Sequence, residues 1–431
     1  MRVLIYEPAY MGHRLNYVRL IAEGLLEHGI RPRVVIHADA PASNEFAAHL
    51  ADLAGRVDLL PTSRIDLGPV VRVTTRGDSV RFSRALVDEL VGMVGQFGTE
   101  HVYLPGGDGM AQWMGMRSLV RPILPTNVEV EAILLRGRVP EQAKGIKSRL
   151  LNRLHGLAYS RFPWAGLHLI SPPAYRWFQV YTPRLMDRVV ISPDPIKLRP
   201  RMSKSEARRQ LQLPEGGQYI GLVGVLDERK GVPHLVEAFC RKPRPAHQKL
   251  LLIGKTKPVS QEALSRHRPL IESGQIVVVD RYVSNAEFYA ALSAMDVVCV
   301  PYAGTRWESS GIILDATAAG RPVLSTTRGW MGEAVRRFQL GSTVDVADAD
   351  KFAEAIDQAF HAAEDYRVSP RAKQLLAFCS EENFRRSMLK RIVHRLSLST
   401  TPPMSWGSLF ADEPSAPQPA SGKMVCNKEC Q

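Results

Sequence analysis

Short apolar runs alternate with longer stretches of three- and four-residue apolar spacing, and the alternation occurs twice along the chain. In the first half Val3 to Glu7 predicts a buried strand, residues 8–14 a loop, and Leu15 to Glu27 a helix. Leu15, Val18, Ile21, Ala22, Leu25 and Leu26 give that helix its apolar stripe, and Gly29 is its stop signal. Further strands are predicted at residues 33–37, 101–104, 129–135, 167–171 and 188–191. Pro193-Asp194-Pro195 interrupts the pattern, and the basic polar segment up to about Lys204 reads as an interdomain linker. The second half predicts strands at 219–223, 249–253, 276–279, 297–300 and 323–325, with helices at 232–240, 286–294 and 311–319. A last helix spans 381–396.

Repeated strand–helix alternation is the signature of βαβ units and parallel sheets. The expected fold is therefore α/β, two Rossmann-like domains facing across a cleft. The first covers 1–195 and the second 205–380, with the closing helix (381–398) free to pack back on the first. Residues 400–431 are rich in Ser, Pro, Ala and Gly without periodicity and read as a disordered tail.

Composition narrows the class. A chain of 431 residues exceeds one ordinary core, and its 45% hydrophobic and 23% charged residues suit a globular protein rather than a fibre. No apolar run reaches the ~20 residues of a membrane span, and the N-terminal run is too short for a signal peptide, so a cytoplasmic location is expected. Five scattered cysteines suit reduced thiols. A net charge of +13 favours anionic partners. With no basic stripe interleaved with aromatics, nucleic acid is not among them.

Ligands of open parallel sheets bind at the carboxyl ends of the strands. Three segments of the second half supply suitable groups there. Gly221 to Gly231 ends a strand in Gly224 and carries Arg229 and Lys230 in a short loop, where a lysine can meet phosphate as a point charge or simply be solvated. In Pro301 to Gly311, Glu308, Ser309, Ser310 and Gly311 lead into a helix starting with Ile312. Its free amides suit a diphosphate, and Asp315 one turn further can accept from ribose hydroxyls. The plainer alternative makes a serine an N-cap and Asp315 a dipole partner. Asp280 to Asn285 offers backbone groups and the Tyr282 ring to a base, or merely caps the next helix.

The first half offers Gly12 and His13 after the first strand, and Asp108 in a glycine-rich loop. Each suits an acceptor contact or a local turn. Asp348 and Asp350 have the spacing of a metal-binding pair, but they sit at a predicted helix start, where aspartates are usual. Along 135–161, Arg136, Arg138, Lys144, Lys147, Arg149, Arg153 and Arg161 face the single acid Glu141. Ile146, Leu150, Leu151, Leu154 and Leu157 form an apolar stripe there. Such a helix packs on its own sheet or lies on an anionic membrane.

Taken together, GVLDERKGVPHLVEAF, KLLLIGK, VVVDRYVSNAEFYAALSAMDVVCVPY and ESSGIILDATAAGRPVLST resemble the donor half of GT-B glycosyltransferases, specifically retaining family four (group 1). The likeness covers about 219–330 and fades to architecture before it. It implies transfer of a hexosyl group from a nucleoside-diphosphate sugar to the hydroxyl of a glycan, lipid-linked or small-molecule acceptor, with retention and without metal or resident cofactor. Lys230 and the amides around Gly311 would hold the diphosphate, Asp315 the ribose and Glu308 the donor sugar, while His13 would face acceptor or donor. Two positions depart from the family: Val225 stands where arginine is common, and six residues rather than seven separate Glu308 from Asp315. These departures motivate the alternatives of a non-catalytic nucleotide-sugar-binding subunit or an epimerase on the same fold.

Overall fold

A computed structural model describes residues 1–10, 14–62, 76–135, 145–303 and 310–410. Its first sheet contains β1 (Val3–Glu7), β2 (Arg33–Ile36), β3 (Asp58–Pro61), β4 (His101–Leu104), β5 (Glu129–Leu134), β6 (Gly166–Leu169) and β7 (Val189–Ile191). They lie in the order β3-β2-β1-β4-β5-β6-β7 and every pairing is parallel. The second sheet contains β8 (Gln218–Val223), β9 (Gln248–Ile253), β10 (Ile276–Val279), β11 (Val297–Val300), β12 (Val323–Thr326) and β13 (Gly341–Val344). Its order is β10-β9-β8-β11-β12-β13, again all parallel. Both sheets reverse their winding beside their first strand, so each has a crevice at its strand ends.

The two strands not anticipated, β3 and β13, are both edges. One ends in Pro61 and the other begins with Gly341, residues that weaken a strand pattern. Central strands such as β11 are instead continuous buried apolar runs, as burial on both faces requires.

Two crossings join the halves side by side. Ile196 donates its amide to the Cys379 carbonyl at 2.8 Å, and Glu381 donates back to the Ile196 carbonyl at 3.2 Å. The returning helix, Glu381–Arg395, packs against Arg14–Glu27 of the first half. A β-carbon on Gly24 would lie 2.3 Å from Leu389 Cδ1, so a larger residue there would make that leucine side chain move. Tyr103 donates its hydroxyl to the Met388 carbonyl at 2.9 Å, and Phe384, Met388, Leu389 and Ile392 complete the apolar cluster there.

The disordered tail expected from residue 400 needs correction over 401–410. Asn383 exchanges two hydrogen bonds with the backbone of Met404 (2.7 and 3.2 Å). Trp406 then packs edge-on against Trp330, Phe378 and Phe410, Leu409 is buried, and Arg337 lies 3.8 Å over the Phe410 ring. Three apolar residues at irregular spacing give no periodic signal but still bury surface.

The basic helix resolves as Ile146–Arg161, and its two faces are inverted relative to an ordinary core helix. Ser148, Asn152, Gly156 and Tyr159 point inward, whereas Ile146, Leu150 and Leu154 are 82%, 59% and 55% exposed. Gly156 abuts the Tyr181 carbonyl, and Asn152 accepts from the Trp177 indole at 3.2 Å. The predicted apolar stripe thus does not pack on the sheet. Gly115 of the neighbouring helix Ala111–Ser118 touches Ala158, where a β-carbon would fall 1.6 Å from the carbonyl oxygen. Met116, Leu119 and Val120, in and just after that neighbouring helix, are exposed as well. No helix among the described residues is long and apolar enough to cross a membrane.

Candidate functional site

The crevice of the second sheet opens where β8 and β11 lie side by side and their following loops meet. Gly224 leaves β8 at φ +106°, a conformation glycine adopts without strain. The chain turns through Asp227, whose carboxylate accepts from the Lys230 amide at 2.8 Å, and enters the helix Val232–Cys240 through Gly231 at φ +75°. A β-carbon on Gly231 would lie 1.9 Å from the Pro301 carbonyl oxygen, so glycine lets this loop touch the one after β11. The two loops are also tied by the Ala303 amide donating to the Arg229 carbonyl (3.0 Å). The Arg229 guanidinium sits 5.1 Å over the Tyr302 ring.

Lys230 is only 7% exposed, and among the described residues its ammonium makes one hydrogen bond, a 3.4 Å contact to the Val223 carbonyl. An ammonium carries three donors. Burial, reinforced by the neighbouring Arg229 charge, pulls its pKa down to about 8 despite Asp227. Among the described residues this buried cation has fewer acceptors than donors, the condition a bound anion relieves.

Across the crevice the helix Gly311–Ala318 begins at Ser310. Several serines do cap helices here, Ser43, Ser203, Ser284, Ser369 and Ser380 among them. Ser310 does not: its hydroxyl donates to the Tyr302 hydroxyl at 3.1 Å, so it gives no side-chain acceptor to the first amides of Gly311–Ala318. Asp315, one turn on, accepts a 3.4 Å bond from Tyr289. Burial and the charge of Asp194 raise its pKa to about 7, against the opposing pull of Tyr289 and Arg199.

Described contacts therefore join Gly224, Arg229 and Lys230 to the loop after β11, and Ser310 to Tyr302 of that loop, whereas Asp315, one turn beyond Gly311 and Ile312, meets Tyr289 instead. Tyr282, 72% exposed, follows the edge strand β10, two strands away from β8, and no described contact links it to Lys230. Ser284 beside it forms a reciprocal capping box with Glu287. Gly12, His13, Glu308 and Ser309 lie outside the described residues. Asp108 accepts from the Leu135 amide at 3.0 Å, tying the loop after β4 to the end of β5. Asp348 caps the helix Ala349–Asp365, and Asp350 pairs with Arg241 at 2.7 Å.

Sequence reasoning missed Glu7 and Arg14. Glu7 ends β1 fully buried and accepts from Arg14 at 2.8 Å; burial pushes its carboxyl up while Arg14 pulls it down. A glutamate closing an otherwise apolar strand was the available signal. Asp194, Arg199 and Tyr289 were also missed, because nothing local marks side chains that meet only through the fold.

Two doubly wound parallel-sheet domains define the GT-B class. Residues 217–362 match the family Glycosyl transferases group 1, and the chain carries a glycosyltransferase domain of that family. It is 32% identical over 163 residues to a D-inositol 3-phosphate glycosyltransferase of Corynebacterium urealyticum, spanning 35% of this chain and 37% of that protein. It is 26% identical over 353 residues to a phosphatidyl-myo-inositol mannosyltransferase of Mycobacterium leprae, spanning 79% and 82%. Among solved structures, Anabaena Alr3699/HepE in complex with UDP superposes with a TM-score of 0.63 at 16% identity, over 92% of this chain and 100% of that one.

Proposed function

We propose that this protein transfers a hexosyl group from a nucleoside-diphosphate sugar to an acceptor hydroxyl, with retention and without a metal. The observation that carries this reading is the buried ammonium of Lys230, with one acceptor among the described residues, on a loop tied to the one that leads to a helix start whose first amides the Ser310 side chain does not cap. As the glycosidic bond opens, negative charge grows on the departing diphosphate. A cation and amides already fixed in place stabilise that charge without reorganising. No carboxylate nucleophile is needed, and the leaving phosphate helps accept the acceptor's proton. The UDP carried by the Anabaena structure supports a nucleotide donor for a crevice of this fold.

The acceptor belongs on the first domain, facing the loops after β1 and β4. Its surroundings point to an anionic membrane as partner, on the cytoplasmic side expected from the sequence. Ile146, Leu150, Leu151, Leu154 and Leu157 are exposed together, with Lys147, Arg149, Arg153 and Arg161 on the same helix. Contiguous exposed apolar surface flanked by cations is what a peripheral enzyme lays on acidic lipid.

The test is turnover. Screening uridine, guanosine and adenosine diphosphate sugars by thermal shift selects the donor, and Lys230→Ala should then lower transfer or donor hydrolysis by roughly a hundredfold or more. An unchanged rate removes Lys230 from the site. Donor binding without transfer or hydrolysis across an acceptor panel favours a binding subunit, and donor conversion without any acceptor favours an epimerase.

A further inference from the structure

Two linker residues act on Asp315, one through Tyr289 and one through its charge. Arg199, five residues beyond Asp194, lays its guanidinium 4.1 Å from the centre of the Tyr289 ring, and Tyr289 donates to Asp315. Asp194 lines a small cavity between the domains together with Ser310, Ile313 and Leu314 of the donor helix. Its own carboxylate accepts from Tyr17, a residue of the first domain, at 3.1 Å. One linker thus brings an anion and, through Tyr289, a cation to bear on the same half-buried carboxylate, and the anion is held by the opposite domain.

We propose that Asp194, Arg199 and Tyr289 are positioning residues for Asp315, through which the linker sets how tightly the donor site holds its nucleotide. This rests on the reading of Asp315 as the ribose contact. An ionised carboxylate accepts from both ribose hydroxyls, whereas a protonated one gives up an acceptor and adds a donor. Nucleotide binding is then linked to proton loss from Asp315. The groups acting on it are Asp194, which favours the protonated form, and Tyr289 and Arg199, which favour the ionised form. The helix Pro370–Phe378, packed on the other side, contributes apolar Leu375 and Leu376 to the cluster holding Ile313 and Leu314. Any movement that withdraws Asp194 relieves its repulsion and strengthens the ribose contact.

The experiment is calorimetric titration of the full chain with UDP, GDP and ADP, following the tightest binder at pH 8.5 and 6.0. With a carboxyl titrating at about 7, wild-type affinity should fall by up to about tenfold over this interval, and that of Asp194→Asn, which removes the smaller of the two raising causes while burial remains, should fall measurably less. Proton uptake or release, read in buffers of different ionisation enthalpy, should differ in the same direction. Comparing the two proteins cancels the titration of the nucleotide and of Lys230. Tyr289→Phe should raise the donor KM several-fold while kcat stays within about twofold, the split expected when binding shared by ground and transition states is lost. Parallel pH dependences in wild type and Asp194→Asn, with nucleotide still bound, overturn this inference alone. No binding by any of the three nucleotides overturns the donor-site reading and this inference with it.

Discussion

The ammonium of Lys230 stands almost where residue 224 would carry a side chain: its Nζ lies 2.5 Å from the position of a β-carbon on Gly224. The glycine that ends β8 therefore does two things. It takes a backbone conformation closed to most residues, and it clears the space in which the lysine is held.

Gly224→Ala should accordingly displace Lys230 and strain the turn at φ +106°. Loss of about 1–3 kcal/mol of stability is expected, from an alanine held at positive φ and a close contact. Turnover should drop by more than that stability loss explains at temperatures where the variant is fully folded. Denaturant melts beside initial rates separate the two, and an alanine variant with normal turnover would show that the lysine reaches its target another way.

Burial of a cation carries a stability penalty that a bound anion relieves. Lys230 titrates near 8 in the folded chain against an ordinary 10.5. Below pH 8 both folded and unfolded lysines are charged and the penalty is complete. Between 8 and 10.5 the folded state has already released its proton, so stability rises with pH. Lys230→Met should stabilise the ligand-free protein by roughly 3 kcal/mol at neutral pH, with the gain fading toward pH 10.5. Thermal melts across that range check the sign; a methionine variant less stable at pH 7 contradicts it.

The inverted helix makes a prediction of its own. Leu150 and Leu154 are more than half exposed, so replacing both with glutamate should leave the melting temperature within a degree or two of wild type. Co-sedimentation with vesicles containing anionic phospholipid should fall at least tenfold, because the change removes apolar contact and adds repulsion. Transfer to a water-soluble acceptor should be unaffected. Equal sedimentation of both proteins would end the membrane assignment.

Trp406 fills the gap among Trp330, Phe378 and Phe410. Its replacement by alanine should destabilise the protein by about 2–4 kcal/mol, since it is only partly buried. A truncation before residue 401 should reproduce the loss. A melting curve identical to wild type would mean the segment adds no net stability.

Much of the donor domain was legible because its signals are local. Lys230 follows a strand that ends in glycine, and the Gly311 helix follows a valine-rich strand, so order along the chain placed both at strand ends. The contacts between their loops were not legible. Gly231 against Pro301, and the Ala303 amide on the Arg229 carbonyl, depend on β8 and β11 being neighbours although about seventy residues apart. The direction of the 146–161 helix was ambiguous for a related reason. Periodicity finds an apolar face without saying whether a sheet or solvent meets it, and only Gly156 and Asn152, small and polar, marked the inward side. Glu7 closing an apolar strand was a visible signal, but its partner Arg14 was not, because nothing local pairs the two.

The neighbouring bridges at Ile196 and Cys379 make residues 197–378 a cassette whose two ends meet in space. The first domain and its returning helix close around that junction as though nothing were inserted, so exchanging the cassette asks little of the host's own folding. A chimera that keeps this seam, and carries residues 401–410 with the cassette they pack on, would transplant donor choice while leaving acceptor recognition with the host.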